Sequence, residues 1–320
     1  MSPSPHDVRP VGRTGLALPV LGLGTAPLGW LFEEVGDEQA AATVHHALAS
    51  GIGYIDTAPS YGVGRAEERV GRAIAEAVPV PVLSTKVGHL LRPRPANRAP
   101  EFPGAPDLVS VEGWEAGDIR ESVEGSLERL GVDALEILLV HDPDFAEAQV
   151  TRSAWPAMRA LREEGLVKAI GFGMNSVDVP TRFVENLDVD VVLIAGRYNL
   201  LDTRAAETLL PACLARGTSV ICGGVLSTGI LARGDRSAPY DYGTAPDAVL
   251  RRVEAIHALC GDHGIAIAAA ALQFPLRHPA VASVVVGMRS PAEVDANVEA
   301  LEADVPGAFW RDLDALLGTI

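Results

Sequence analysis

The feature that most constrains the fold of this 320-residue chain is a repeated alternation of short apolar runs with longer amphipathic segments. Eight runs are predicted to be β-strands, at residues 18–25, 53–57, 80–86, 135–141, 167–173, 191–197, 219–223 and 282–287. Nearly all of their residues are apolar, as is typical of parallel strands buried on both faces. Between the runs, apolar residues recur at helical spacing, for example at Ile119, Val123, Leu127 and Leu130. Repeated βα units of this kind predict an α/β fold with a parallel sheet.

One closed barrel accounts for the whole pattern, since a barrel of eight βα units has ~250 residues plus insertions and no low-complexity linker divides the chain. We therefore expect residues 1–320 to form a single (β/α)8 TIM-barrel domain. Two stretches rich in Gly with Pro or Ser, 88–117 and 225–246, are predicted to be long βα loops, which usually cover a binding site or are disordered. The segment from Trp310 predicts a C-terminal amphipathic helix on the outside.

Composition excludes several classes of partner and site. A net charge of −16 would repel nucleic acid and anionic membranes, whose binding needs clustered Lys and Arg. No apolar run approaches the roughly 18 residues of a membrane span, and the N-terminus has no apolar signal core. Cys213, Cys222 and Cys260 lack metal-like spacing, so we expect neither disulfides nor a metal site. These observations favour a cytoplasmic protein that acts on a small molecule.

Three ionisable residues stand at the carboxyl ends of predicted strands: Asp56, Lys86 and His141. In a closed barrel the ends of strands two, three and four are neighbours, on the face where barrel enzymes place their chemistry. Tyr61 follows Asp56 by five residues, which is close enough for its loop to fold the phenol back over the strand ends. Each residue alone is compatible with a structural or solvated role, but their joint order favours one site.

Each of the four residues has a distinct chemical role in such a site. A phenol with a pKa near ~10 is a poor base, so Tyr61 needs a cation beside it, which Lys86 could supply. A lysine in an apolar barrel mouth tends to lose its proton unless a carboxylate such as Asp56 offsets the desolvation. His141 can donate a hydrogen bond to a substrate oxygen and stabilise the charge that develops there.

With these four residues placed, the chain resembles the aldo-keto reductases, whose tetrad of Asp, Tyr, Lys and His maps onto Asp56, Tyr61, Lys86 and His141. The resemblance covers nearly the whole chain, through the segments Arg13-Thr-Gly-Leu, Leu21-Gly-Leu-Gly-Thr, Gly64-Arg-Ala-Glu-Glu, Val286-Gly-Met-Arg-Ser and Asn297. It implies an N-terminal β-hairpin that plugs the bottom of the barrel. It also implies a nicotinamide cofactor along the strand ends, although the Gly-x-Gly-x-x-Gly fingerprint of a dinucleotide fold is absent.

The resemblance also implies which residues contact the cofactor. After strand seven the family wraps a loop over the pyrophosphate, where small residues let backbone amides approach phosphate oxygens. Here that loop would contribute Gly223, Ser227, Gly229 and Leu231, although an ordinary flexible turn is the alternative, and the aromatic residue that many members carry near Gly223 is absent. Asn175 lies one position from where the family holds the carboxamide, and a simple turn asparagine is its alternative.

At the adenine end, Gly287 and Glu293 occupy positions where the family often has a Lys and an Arg that grip a 2′-phosphate, counting back from Asn297. Glu293 would repel a phosphate, whereas a carboxylate can accept hydrogen bonds from a free ribose hydroxyl. NAD is therefore favoured over NADP. Arg289 keeps NADP open, and a solvated helix face is the alternative role for Glu293.

Four segments resemble the branch of the family that oxidises sugars and pyridoxal: Gly173-Met-Asn, Ala195-Gly-Arg-Tyr-Asn-Leu-Leu-Asp, the Gly-Gly after strand seven, and Val286-Gly-Met-Arg. That branch converts the anomeric hydroxyl of aldoses such as L-fucose, D-arabinose or L-galactose to a lactone, or pyridoxal hemiacetal to 4-pyridoxolactone. Trp30 is predicted to flank a ring substrate. His89 could contact substrate hydroxyls or be solvated, while Trp114 and Trp155 are predicted to pack helices.

Two further functions stay open. A general NADPH-dependent aldehyde or ketone reductase would run in the opposite direction. A regulatory subunit that senses the cofactor with little turnover is a non-enzymatic alternative, which the intact tetrad disfavours. The sequence leaves the oligomeric state open.

Overall fold

The computed structural model describes residues 2–31, 33–233, 240 and 243–319. The strands in these ranges are β1 Val8–Val11, β2 Leu16–Pro19, β3 Leu21–Gly24, β4 Tyr54–Asp56, β5 Val82–Val87, β6 His89–Pro93, β7 Leu108–Glu112, β8 Leu135–His141, β9 Val167–Met174, β10 Val191–Ala195, β11 Ser219–Gly223 and β12 Val281–Gly287. The α-helices there are α1 Asp37–Ala49, α2 Arg65–Ile74, α3 Ala116–Leu130, α4 Glu147–Gln149, α5 Trp155–Glu163, α6 Asp178–Asn186, α7 Leu209–Arg216, α8 Ile230–Arg233, α9 Asp247–His263, α10 Ile267–Leu276, α11 Pro291–Glu302 and α12 Gly307–Thr319.

Eight parallel strands close a barrel in the order β3, β4, β5, β8, β9, β10, β11 and β12, and β12 pairs with β3. The predicted (β/α)8 architecture is confirmed, and each of the eight predicted strands overlaps one of these. Three predicted boundaries are wrong by two residues or more. Residues 18 and 19 belong to β2 rather than to the first barrel strand, β5 begins at Val82 because Val80 is exposed to solvent, and β10 ends at Ala195 rather than at residue 197.

The N-terminal hairpin lies at the amino ends of the barrel strands. Strands β1 and β2 pair antiparallel, and Val11 and Leu18 are fully buried in one cluster with the inward-facing side chains of the barrel. Arg9 donates to the carbonyl of Val281, and the Gly12 N–H donates to Ser219, at the starts of β12 and β11. The hairpin therefore closes the end of the barrel opposite the tetrad.

The stretch 88–117 forms the long βα connection that its composition predicts, because it links β5 to α3. It contains an antiparallel hairpin of β6 and β7 that was not predicted, with His89 opposite Glu112. Gly88 has φ +103°, and a Cβ there would lie 2.1 Å from Cζ3 of Trp114, so only glycine fits this turn. The Pro and Gly residues of the segment hid the strand signal. Of the other predicted loop, residues 234–239, 241 and 242 lie outside the described residues.

The C-terminal segment forms α12, which begins three residues before the predicted start at Trp310 and buries Phe309 and Leu313. Trp114 and Trp155 are buried, as predicted for packing residues. Within the described ranges no single helix has the length and apolarity to cross a bilayer. One bent pair, α9 with α10 at an angle of 101°, meets that test by length and composition only.

A buried carboxylate fastens the outer helices to the barrel beneath the site. Glu67 on α2 has no exposed surface. Its two oxygens accept hydrogen bonds from Thr85 Oγ1 of β5 at 2.6 Å and from Arg129 Nε of α3 at 2.7 Å. A paired buried charge is tolerated because both oxygens are satisfied, and removing one partner leaves the other uncompensated.

Replacing Glu67 by Gln keeps the shape of the side chain but leaves Arg129 without its counter-charge. We expect a loss of about 3 kcal/mol, which lowers the melting temperature by roughly 5–10 °C. Glu68→Gln, on the next residue of the same helix but exposed, is the control and should change stability by less than about 0.5 kcal/mol. Equal melting temperatures for the two variants would contradict the role given to Glu67.

Candidate active site

Three adjacent barrel strands position the ionisable residues. Asp56 ends β4, Lys86 lies near the end of β5, and His141 ends β8. Asp56 is opposite Ser84 in the β4–β5 register, and Lys86 is opposite Leu139 in the β5–β8 register. Because the strands are parallel neighbours, their carboxyl ends bring these side chains to one face, as the sequence predicts.

The centre of this face is a buried ion pair. Lys86 Nζ donates to Asp56 Oδ2 at 2.8 Å and to the carbonyl oxygen of Thr57 at 2.7 Å. The other carboxylate oxygen, Asp56 Oδ1, accepts from Ser84 Oγ at 2.7 Å, and the Tyr54 hydroxyl lies 2.9 Å behind that serine. The side chains of Lys86 and Asp56 are 2% and 5% exposed. Each carboxylate oxygen thus has a donor.

Asp56 keeps Lys86 charged. Burial would lower the pKa of the ammonium, but the Asp56 carboxylate and the hydrogen bond to Tyr61 outweigh burial and raise that pKa above its usual value. Nζ lies 4.6 Å from the centroid of the Tyr61 ring. A positive charge is therefore held beside the phenol, as the sequence predicts for a base that needs a cation.

A close approach of two loops fixes Tyr61. Gly62 has φ +63°, and a Cβ there would lie 2.1 Å from the carbonyl oxygen of Gly29, so no other residue fits. A Cβ on Gly29 would in turn lie 2.5 Å from the carbonyl carbon of Tyr61. The loop after β4 thus rests directly on the loop after β3, which holds the phenol over the strand ends.

His141 is held as a neutral imidazole. Burial, then the charges of Lys86 and His89, lower the pKa of His141 well below its usual value. Its ring meets the Tyr61 ring edge-on, with centroids 5.9 Å apart, and its Nδ1 lies 3.5 Å from Ser60 Oγ. When Nδ1 accepts from Ser60, the single proton sits on Nε2, which then becomes the donor toward a ligand oxygen.

These groups lie at the floor of a cleft of about 510 Å³, within the size range of small-molecule sites. Trp30, predicted to flank the substrate, lines it and stacks on Phe102 with ring centroids 4.9 Å apart and planes 11° from parallel. Phe102 lies in the connection between β6 and β7. The two rings form one aromatic wall of the cleft. Sequence reasoning missed Phe102, and its only signal was the position of 88–117 after a strand that carries a site residue.

His89 lies beside this cleft rather than among the residues that line it. Its ring is 5.4 Å from the His141 ring and 6.2 Å from the Trp114 ring, and its Nδ1 is 3.3 Å from Ser110 Oγ. Burial lowers the pKa of His89. Its contact with a substrate hydroxyl stays a prediction.

Backbone strain is concentrated at the same face. The non-glycine residues with positive φ in the described part of the chain follow β3, β4, β8 and β11, and they are Trp30, Val63, Asp142, Ser227 and Thr228. Such conformations cost free energy and persist where surrounding structure holds them, often at functional sites. The positions of these residues indicate, independently of any sequence motif, that the functional site lies at the carboxyl ends of the barrel strands. Asp142, which lines the cleft next to His141, was not found from the sequence.

A second cleft adjoins the first, and the two share Asn175 and Ala195. It is lined by Gly224, Ser227 and Thr228 from the loop after β11. Ser227 Oγ and Ser176 Oγ are buried and have no hydrogen-bond partner among the described residues. A buried hydroxyl without a partner costs about 1–3 kcal/mol, so these donors suit a ligand rich in amide and phosphate oxygens. Asn175 lines this cleft, and its contact with a nicotinamide stays a prediction. Ser176, the next residue in the chain, was not predicted.

Other predicted cofactor residues lie around this cleft in different environments. Gly223 is buried at the end of β11, and Gly229 has φ +93° in the turn before α8. Leu231 is fully buried, and its carbonyl oxygen lies 2.9 Å from His257 Nε2. The structure therefore does not bring the Leu231 side chain to either cleft.

Beyond β12, the predicted adenine-end residues form one network. Arg289 donates to Glu293 through its backbone N–H at 2.8 Å and through Nη2 at 2.8 Å, and its Nη1 donates to Glu33. Asn297 Nδ2 donates to the Glu293 carbonyl at 2.7 Å. The carboxylates of Glu33 and Glu293 therefore both hold the Arg289 guanidinium. Gly287 makes a separate close contact, since a Cβ there would lie 2.7 Å from Cγ of Pro27.

Comparison with known proteins now confirms the resemblance. Residues 20–317 match the model of the aldo/keto reductase family. The chain is 40% identical to D-threo-aldose 1-dehydrogenase of Pseudomonas sp, over 93% of this chain and 94% of that protein. It is 37% identical to pyridoxal 4-dehydrogenase of Microbacterium luteolum, over 96% of both. The holo form of an aldo-keto reductase from Bacillus halodurans shares the fold, with a TM-score of 0.77, 24% identity and coverage of 97% and 96%. With its four ionisable residues assembled at the barrel mouth, this chain is an oxidoreductase that belongs to the aldo/keto reductase family.

Proposed function

We propose that this chain is an NAD-dependent dehydrogenase that oxidises the anomeric hydroxyl of an aldose, of the L-fucose, D-arabinose or L-galactose type, to a lactone. The observation that carries the proposal is the Lys86 ammonium held between Asp56 and Tyr61 at the floor of a cleft that fits a sugar. The 40% identity to an aldose dehydrogenase supports the substrate class. Oxidation also fits NAD, because the cellular NAD pool is mainly oxidised.

The residues divide the work of the reaction between them. Lys86 stabilises the phenolate of Tyr61, which takes the proton from the anomeric hydroxyl. Neutral His141 donates a hydrogen bond to the same oxygen while it becomes the carbonyl oxygen of the lactone. NAD, when bound, would supply the nicotinamide ring as the acceptor for the hydride that leaves C1. The proton on Tyr61 and the hydride together account for the two electrons and two hydrogens that the sugar loses.

The second cleft supports a place for the cofactor beside the tetrad. Asn175, Gly224 and the buried Ser227 hydroxyl, which has no partner among the described residues, line this cleft and would hold the cofactor. At the adenine end, a 2′-phosphate would have to displace Glu293 or Glu33 from Arg289. Because both carboxylates also repel a phosphate, the network supports NAD over NADP.

Pyridoxal is the second candidate substrate. The flat aromatic wall of Trp30 and Phe102 suits a pyridine ring as well as the C–H face of a sugar. The 37% identity to a pyridoxal 4-dehydrogenase supports this alternative. Both substrates react as cyclic hemiacetals, so the tetrad chemistry is the same for each.

Initial rates of NADH and NADPH formation, followed by near-ultraviolet absorbance, test the proposal. The substrates are L-fucose, D-arabinose, L-galactose and pyridoxal, each with NAD and with NADP. We expect rapid turnover of an aldose with NAD. Rapid turnover of pyridoxal alone would select the second candidate. Reduction of simple aldehydes by NADPH without any oxidation would overturn the direction and the cofactor, and negligible turnover in every assay would favour a cofactor-sensing subunit.

Replacing Tyr61 by Phe removes the base but keeps the ring. We expect kcat with the preferred substrate to fall by about 100-fold or more, as for other lost general bases, while the Kd for NAD, measured by quenching of tryptophan fluorescence, is unchanged. Tyr198→Phe is the control, because Tyr198 is buried against Phe274 and lines neither cleft. A kcat close to that of the wild type in the Tyr61 variant would contradict the role of Tyr61 as the base.

Replacing Glu293 by Gln frees Arg289 from one carboxylate. Since a charge-assisted hydrogen bond contributes about 1.5–3 kcal/mol, we expect the ratio of kcat/KM for NADP to that for NAD to rise by about tenfold or more. Glu299→Gln, exposed on the same helix, should leave the ratio unchanged. An unchanged ratio in the Glu293 variant, or a wild-type preference for NADP, would argue against this role.

A further inference from the structure

Asp142 lines the main cleft and has a strained backbone conformation. It follows β8 directly with φ +44°, a left-handed conformation that few non-glycine residues adopt. Its backbone N–H donates to the Gly173 carbonyl at 2.9 Å, and its carboxylate accepts a hydrogen bond from the backbone N–H of Asn175. The first bond fixes the backbone and the second holds the carboxylate, and the side chain lines the cleft, where it stays 39% exposed.

The charge of Asp142 is also unfavourable where it lies. Burial, and then the neighbouring Asp144, raise the pKa of Asp142 to about 6, although Lys86 and the Asn175 N–H act in the opposite direction. At neutral pH the carboxylate is therefore ionised in a setting that disfavours ionisation. Strained backbone and a raised acid pKa together are typical of functional positions rather than of structural ones.

Asp142 and His141 form a donor and acceptor pair. His141 Nε2 lies 3.8 Å from Asp142 Oδ2, so the two atoms can bind two oxygens on adjacent carbons of one ligand. The anomeric carbon of a cyclic aldose has two neighbours in the ring, C2 with its hydroxyl and the ring oxygen. A carboxylate only accepts hydrogen bonds, and a ring oxygen has no proton to donate. Of these two neighbours, only C2, through its hydroxyl, can donate to Asp142.

We propose that Asp142 is a specificity-determining residue that accepts a hydrogen bond from the C2 hydroxyl of the substrate while His141 binds the anomeric oxygen. The inference rests on the proposed function. The contact between Asp142 and the C2 hydroxyl would fix which side of the sugar ring faces β8, and with it the orientation of C1 relative to the tetrad. In pyridoxal the carbon next to the reacting carbon belongs to the aromatic ring and has no hydroxyl, so this contact favours an aldose.

The test removes the Asp142 carboxylate and the C2 hydroxyl of the sugar, first separately and then together. D-arabinose is compared with 2-deoxy-D-ribose, which is the same pentose without its C2 hydroxyl, in the wild type and in Asp142→Gly, since glycine accepts the positive φ. If L-fucose is the better substrate, its 2-deoxy form replaces the pentose pair. We expect each single change to lower kcat/KM by about 10- to 100-fold, as for a charge-assisted hydrogen bond. In the variant, the two sugars should react equally well.

Independent losses that multiply in the double change would overturn the inference, because they would mean that Asp142 and the C2 hydroxyl do not meet. Asp144→Asn, two residues along the same loop and absent from the cleft lining, is the control and should leave the sugar preference unchanged. Turnover of no aldose by the wild type would instead refute the proposed function. The two failures are therefore distinguishable.

The pH dependence of the melting temperature provides a second readout, which would differ if the Asp142 carboxylate only stabilised the fold. The pKa of Asp142 in the folded chain, about 6, lies above its ordinary value of 3.8, so ionisation above that pH opposes folding. Asp142→Asn keeps the positive φ and the acceptor for Asn175 but carries no charge. We expect it to melt at a higher temperature than the wild type at about pH 8, with the gain shrinking below about pH 6. A lower melting temperature at the higher pH would show that the carboxylate holds the fold together and would count against the inference.

Discussion

The ion pair between Lys86 and Asp56 keeps a positive charge at the centre of the site, and that charge acts on the groups around it. A buried pair of this kind adds little stability compared with apolar side chains of the same volume, because desolvation offsets the attraction. Its effect is on the neighbours. Asp56 keeps Lys86 charged, and that charge lies 4.6 Å from the Tyr61 ring centroid and helps to lower the pKa of His141. One carboxylate thus supports a cation beside the phenol and a neutral imidazole opposite it.

The barrel explains why the tetrad side chains need few supporting residues to hold their positions. Strands β4, β5 and β8 are adjacent, and each contributes one tetrad residue at or near its carboxyl end, so the backbone ladders fix their relative positions. Tyr61 is the exception because it lies on a loop. The contact between Gly29 and Gly62 compensates, since it packs the loop that carries Tyr61 directly against the loop after β3. Chemistry placed on strands and one clamped loop needs little further support.

Much of this could be predicted from the sequence because it depends on local patterns. Apolar runs mark parallel strands, and strand ends mark the face of the site, so the barrel, Asp56, Lys86 and His141 followed directly. Three features could not be predicted. Phe102 stacks on Trp30, a contact between distant segments that no periodicity encodes. The strain at Asp142 is a backbone angle, and Ser176 is distinguished only by a buried hydroxyl without a partner among the described residues.

Three of the residues that surround the tetrad in the cleft lie on loops rather than on strands. The tetrad lies mainly on strands, whereas Trp30, Phe102 and Asp142 belong to connections after β3, β6 and β8. Loops tolerate substitution because few core contacts depend on them. Strained residues such as Asp142 persist there because the rigid barrel beneath holds them. The relatives at 40% and 37% identity are both dehydrogenases, and their names give different substrates, a D-threo-aldose and pyridoxal. In the proposed mode of binding, the Asp142 carboxylate beside His141 distinguishes the two substrates, because an aldose carries a hydroxyl on the carbon next to the reacting carbon and pyridoxal carries none at that position.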